Sequence, residues 1–136
     1  YARGELKQCF DGVSISNGLA WSPDGRTLYW ADTQFNILYA FDFEPDSGDL
    51  SRRRVFARFP IKAPGQPHGD YLGCPDGAAV DREGCYWVAM YDGQRVLRLS
   101  PEGTITREGS SGASAQSRIA SPRRCIGFTN MRRRLA

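Results

Sequence analysis

The chain has a single histidine, His68, and none of its four cysteines (Cys9, Cys74, Cys85 and Cys125) forms a CxxC pair. Those shortages exclude a zinc centre of the Cys/His type. Irregular cysteine spacing gives no disulfide framework either, and the thiols read as reduced and mostly buried. No apolar run approaches the ~20 residues that cross a bilayer, so no membrane is expected as a partner. There is no P-loop, no GxGxxG and no GxSxG, which removes a phosphate cradle, a dinucleotide fold and a serine elbow. The first residue is Tyr1 rather than Met, with no basic-then-apolar leader behind it. The expectation is a cytoplasmic protein whose original start lies upstream.

Acidic residues are missing from one region altogether. Residues 109–136 hold six arginines (Arg118, Arg123, Arg124, Arg132, Arg133 and Arg134) and no Asp or Glu. Residues 1–108 therefore keep 12 basic and 15 acidic side chains, a net of −3, although the whole chain is +3. Basic character belongs to the tail, and nucleic acid is not an expected partner of the body. The tail opens Gly109-Ser110-Ser111-Gly112, and so abrupt a change predicts linker or disorder. A frame shift or truncation near Glu108 would produce it. Residues 1–108 form the expected folded unit and 109–136 the irregular tail.

What remains is a chain of 136 residues, 40% of them apolar and 24% charged, enough for one domain with a core. Its 15 glycines and 8 prolines separate short runs rich in aromatic and β-branched residues. Thr27-Leu28-Tyr29-Trp30, Ile37-Leu38-Tyr39-Ala40-Phe41, Tyr86-Trp87-Val88-Ala89 and Arg95-Val96-Leu97-Arg98-Leu99 are each of strand length. Turns are predicted at Pro23-Asp24-Gly25, Asp46-Ser47-Gly48, Arg82-Glu83-Gly84, Tyr91-Asp92-Gly93 and Pro101-Glu102-Gly103. No window of helical period stands out before residue 108, so the fold class is all-β.

The strands repeat. Asn17-Gly18-Leu19-Ala20-Trp21, a turn, then Leu28-Tyr29-Trp30-Ala31 and Ile37–Asp42 are followed, 59 and then 58 residues later, by a second set. That set is Asp76-Gly77-Ala78-Ala79-Val80, a turn, Tyr86-Trp87-Val88-Ala89 and Arg95–Ser100. Each copy predicts three strands and a fourth, which is a propeller blade. Two blades and one outer strand near Gly4–Phe10 fall short of a closed ring. The expectation is a partial β-propeller, a piece of something larger, with residues 60–75 as a long loop between blades.

Asn17 and Asp76 occupy the same place in the two copies, and a Gly follows each. First strands of propeller blades line the central channel, so equivalent positions converge near one axis. An amide oxygen and a carboxylate meeting there suit a hard divalent cation. The plainer reading is two turn dipeptides, Asn-Gly and Asp-Gly. Matched position in two repeats favours the site, and places the two side-chain oxygens within about 6 Å of each other, given ligand distances of ~2.3–2.6 Å. Other candidates read as structure. Asp42–Asp49 is a poor EF-hand match, with Arg53 where the closing Glu belongs, and is an acidic turn. His68 is a loop histidine without a nucleophile to serve. Asp32 caps a turn. Arg52-Arg53-Arg54 is solvated surface. Trp21, Trp30 and Trp87 are core.

Two stretches resemble the signatures of the gluconolactonase/regucalcin-like (senescence-marker-protein) family. One is Ser16-Asn17-Gly18-Leu19-Ala20-Trp21-Ser22-Pro23-Asp24-Gly25 with Thr27-Leu28-Tyr29. The other is Cys74-Pro75-Asp76-Gly77-Ala78-Ala79-Val80-Asp81 with Gly84-Cys85-Tyr86-Trp87-Val88-Ala89, continued by Gly93, Arg95, Val96 and Leu99. The resemblance covers roughly residues 3–107 and keeps the order and spacing of both. It implies a six-bladed propeller with a divalent metal ion (Ca, Zn, Mg or Mn) in the channel, and hydrolysis of sugar lactones. Asn17 falls on the family's metal-binding Asn. Asp76 falls on its metal-binding Asp, also the proposed general base, and so carries the catalytic assignment. The family's metal-binding Glu and its substrate-contacting Arg and Asn belong to blades that would precede residue 1. The missing blades are thus the expected partners, and the 136-residue chain alone is expected to be inactive. The alternative is a non-catalytic binding propeller of YWTD or NHL type, which Leu28-Tyr29-Trp30-Ala31-Asp32 partly resembles. Oxygen ligands at channel-facing positions argue against it.

Overall fold

A computed structural model describes residues 8–110. Eight strands form two antiparallel meanders. The first holds β1 (Ser16–Trp21), β2 (Thr27–Asp32), β3 (Ile37–Glu44) and β4 (Asp49–Arg58), in that spatial order. The second holds β5 (Cys74–Val80), β6 (Tyr86–Tyr91), β7 (Arg95–Leu99) and β8 (Ile105–Ser110), again in order. These are the two predicted blades of a partial β-propeller, each with its fourth strand. Short 3-10 turns at Thr33–Phe35 and His68–Asp70 are the only helical elements among the described residues. None of it is long and apolar enough to cross a membrane.

The turns have local causes. Gly25 N donates to Ser22 O at 2.9 Å, Gly84 N to Asp81 O at 3.0 Å and Gly103 N to Ser100 O at 2.8 Å. Ser22 and Asp81 also spend their side chains on the turn. Ser22 Oγ accepts from Thr27 N, and Asp81 Oδ1 accepts from Glu83 N and Cys85 N, all at 2.9 Å. Such side-chain-to-backbone bonds select a tight turn over a continued strand.

Period-two alternation then sorts the apolar residues onto two faces. Tyr29 and Ala31 of β2, with Ala20, Leu38 and Ala40, face the second blade. There they meet Tyr86, Val88, Met90, Leu97 and Leu99 in one continuous core. Fully burying side chains of this size is worth roughly 1.5–3 kcal/mol each, which makes the blade boundary the main source of cohesion. Leu28, Trp30 and Phe41 form a second cluster on the far face of the first blade. Phe10 covers it, its ring 5.0 Å from that of Trp30 and 5.1 Å from that of Phe41.

Several expectations need correction. Trp21 is not core: it is 39% exposed, against Phe43. Trp87 is half-buried, because its indole nitrogen reaches Asp81 at 2.8 Å. The described thiols are not mostly buried, since only Cys85 is, while Cys74 is intermediate and Cys9 exposed. The inter-blade loop ends at Gly73, because Cys74 and Pro75 already pair with Tyr91 and Met90 in β5. β8 passes the expected boundary at 108, with Gly109 and Ser110 opposite Val96 and Arg95. Gln8 to Phe10 form no strand. The rest of the expected outer strand and tail residues 111–136 lie outside the described residues.

Candidate metal centre

β1 and β5 are the first strands of their blades and lie side by side. Each carries a one-residue bulge at the site. The register shifts between Asn17 and Ala20 opposite β2, and between Pro75 and Ala78 opposite β6. A bulge breaks strict alternation and re-aims the side chains beside it, which is why bulges gather at functional rims. Asn17 flanks the first bulge and Asp76 sits in the second.

One hydroxyl joins the two strands. Asn17 Nδ2 donates to Thr33 Oγ1 at 3.0 Å, and Thr33 Oγ1 donates to the Pro75 carbonyl at 2.6 Å. Pro75 immediately precedes Asp76. Asn17 and Asp76 are both partly buried rather than sealed. Neither Asn17 Oδ1 nor the Asp76 carboxylate has a hydrogen-bond partner among the described residues, although every fully buried side-chain polar atom there has one. The site thus offers one neutral and one charged oxygen donor with lone pairs to spare, a donor set that suits a hard divalent cation.

Asp32 supports this corner without joining it. It was expected to cap a turn, yet it makes no side-chain bond to the 3-10 turn that it precedes. Its buried carboxylate instead accepts from Ser14 N at 3.1 Å and Ile15 N at 3.3 Å. Thr33 N adds a bond to Ile15 O at 3.0 Å. The segment leading into β1 is fastened two residues before Asn17. Sequence reasoning missed Thr33 because its repeat counterpart is the exposed Tyr91, so the comparison that revealed Asn17 and Asp76 hid it.

A second acidic group, Asp81, Glu83 and Cys85, has ligand atoms within 4.8 Å of one another. It already holds its cation. Arg98 Nε meets Asp81 Oδ2 at 3.0 Å, and Arg98 Nη2 contacts Glu83. Burial works to raise the Asp81 carboxyl, but hydrogen bonds from Trp87, Cys85, Arg98 and Glu83 outweigh it and hold the pKa below the usual value. An anion so fully compensated is a turn anchor. The Asp42–Asp49 stretch is a hairpin, with Gly48 N on Glu44 O at 2.7 Å. Asp42 is spent on Arg52 and Arg54, and Arg53 stacks over Tyr39 with its guanidinium 5.0 Å from the ring centre. His68 begins the second 3-10 turn, and its side chain lies outside what is described.

Comparison with known proteins adds the lineage. The family model for the SMP-30/gluconolactonase/LRE-like region matches residues 1–122. A 6-deoxy-6-sulfogluconolactonase of Pseudomonas putida is 43% identical over 96 residues, which is 71% of this chain and 30% of that one. Rabbit (Oryctolagus cuniculus) regucalcin is 40% identical over 98 residues, 72% of this chain and 30% of its own. Among solved structures, a calcium-binding protein, regucalcin, from Agrobacterium tumefaciens superposes with a TM-score of 0.64 at 30% identity. It covers 79% of this chain and 34% of that chain. A gluconolactonase of Xanthomonas campestris gives 0.55 at 32%, over 72% and 28%. The chain spans about a third of the length of these relatives.

Proposed function

The chain belongs to the SMP-30/gluconolactonase/LRE-like family, and from that membership we propose that it is part of a divalent-metal-dependent sugar-lactone hydrolase. In this reading Asn17 Oδ1 and the Asp76 carboxylate are two of the metal's oxygen ligands. A bound Ca²⁺, Zn²⁺, Mg²⁺ or Mn²⁺ would polarise the lactone carbonyl and acidify water. Asp76 would also act as general base, taking the proton of the water that opens the ester. The observation that carries the reading is the Asn17–Thr33–Pro75 link across β1 and β5, beside which an amide oxygen and a carboxylate at the start of adjacent inner strands have no hydrogen-bond partner among the described residues. The Pseudomonas relative's name supplies the substrate class.

Titrating Mn²⁺ into the ¹⁵N-labelled chain tests it. Paramagnetic broadening should begin at the Asn17 side-chain amide and the Asp76 backbone amide, and should disappear in Asp76→Ala. Broadening centred on Asp81 and Glu83, or none at all, would remove the metal assignment. The non-catalytic propeller would then be the better description.

A further inference from the structure

We propose that Thr33 is a positioning residue for this site, turning Asn17 Oδ1 outward and fixing the peptide that carries Asp76. The inference rests on the metal reading above and deepens it.

A threonine hydroxyl has one hydrogen and two lone pairs. The Pro75 carbonyl, 2.6 Å away, can only accept, so the hydroxyl hydrogen goes there. Thr33 Oγ1 is then an acceptor towards Asn17 at 3.0 Å, and only the NH₂ end of the Asn17 amide can satisfy it. The amide cannot rotate by half a turn without placing two acceptors face to face. Asn17 Oδ1 is thereby held on the side away from Thr33. The hydroxyl also anchors the other donor. The Pro75 carbonyl and the Asp76 amide nitrogen share one planar peptide unit, so holding the carbonyl orients the backbone of Asp76.

Thr33 is itself held in place. Its own amide is bonded to Ile15 O at 3.0 Å, and the neighbouring Asp32 carboxylate grips the Ser14 and Ile15 amides. The side chain comes from the first blade and its acceptor from the second. Thr33 therefore ties the register of the two blades to the orientation of the amide. A valine has the same shape and no hydroxyl, so it would leave Asn17 Nδ2 and Pro75 O unpaired and free the amide to flip. A serine would keep the bond.

The test uses the 136-residue chain with Mn²⁺ as probe. In the unmodified protein the Asn17 side-chain amide protons should show nuclear Overhauser contacts to Thr33. Their absence overturns the proposal without any variant. Thr33→Val should abolish those contacts and weaken Mn²⁺ binding about 10–100-fold, the usual cost of losing an outer-shell partner. Thr33→Ser should restore most of the affinity. In an Asn17→Ala background Thr33→Val should weaken binding less than it does alone, because only its hold on the Pro75–Asp76 peptide remains to be lost. Unchanged affinity in Thr33→Val overturns the proposal. If the chain binds no Mn²⁺ while the Asn17–Thr33 contacts are present, the metal reading falls and the positioning geometry stands.

Discussion

The phenol of Tyr86 donates its proton to the carbonyl of Gly18 at 2.6 Å, joining the second strand of the second blade to the innermost strand of the first. Tyr86 is fully buried, with its ring 5.3 Å from that of Tyr29. The bond lands one residue after Asn17. Removing the hydroxyl strands a buried carbonyl in the main core, so Tyr86→Phe should cost roughly 1–3 kcal/mol. Urea unfolding of the two proteins measures it, and equal midpoints would show that the bond is dispensable.

Burial pushes the Tyr86 hydroxyl pKa well above its usual 10.0, and the neighbouring Tyr29 adds to the shift. An acid whose folded pKa is raised keeps its proton in the folded state after the unfolded chain has released it. Its stabilising contribution is complete below about pH 10 and is lost as pH rises from there towards the folded value. Thermal melts from pH 8 to 11 should show an alkaline fall that is shallower in Tyr86→Phe. Buried Tyr29 is shifted the same way and adds to the fall.

Gly18 and Gly77 are equivalent in the repeat and should respond differently to substitution. Gly18 has a φ of 59°, and a methyl there would strike the Tyr86 hydroxyl and come within 3.2 Å of Asp76 O. At Gly77 a methyl meets nothing within 4 Å. The left-handed backbone alone costs about 1–2 kcal/mol for a residue with a Cβ, before the collision is counted. Gly18→Ala should lower the melting temperature clearly and Gly77→Ala hardly at all. Equal effects would contradict the described packing.

That contrast marks what the sequence could disclose. Period-two alternation, turn glycines and a repeat at 59 residues carry the strands, the blades and the equivalent places of Asn17 and Asp76 in them, because each is a local or periodic signal. Interactions made once leave no such trace. Thr33 and Asp32 look like an ordinary strand end, and their counterparts in the second blade are Tyr91 and Met90. Trp21 reads as core by composition, yet its alternation places it on the first blade's far face, where it stays 39% exposed. Trp87 and Arg98 turn out to serve the Asp81 turn anchor.

Asp81 should set part of the acid limb of stability. Its depressed pKa means that its contribution is present above the unfolded carboxyl value near 4 and is lost as pH falls through the folded value. Asp81→Asn keeps the shape and loses the charge opposite Arg98. Hydrogen bonds to charged groups are worth about 1.5–3 kcal/mol each, so a loss of that order is expected at pH 7. The gap between the two proteins should close as pH falls through the folded value. A constant gap across the range would show that the carboxylate's charge is irrelevant.

The last expectation concerns activity. Two protein oxygens satisfy only part of a hard cation's demand, since Ca²⁺ takes about 6–8 oxygen ligands. The 136-residue chain should therefore hold metal weakly. It should hydrolyse gluconolactone no faster than buffer containing the same metal, because most of the surface that would orient the substrate lies outside its third of the relatives' length. Supplying that surface changes the expectation. A chimera with residues 16–110 in place of the matching segment of the Xanthomonas gluconolactonase should open the lactone in a metal-dependent way, and Asp76→Ala should abolish it. Asp76→Asn separates the two roles given to that residue. An amide can still ligate through oxygen but cannot take a proton at neutral pH, so metal affinity should fall less than turnover does. Parallel loss of both would leave Asp76 as a ligand and require another base. Full turnover in the Asp76→Asn chimera would remove it from the chemistry altogether.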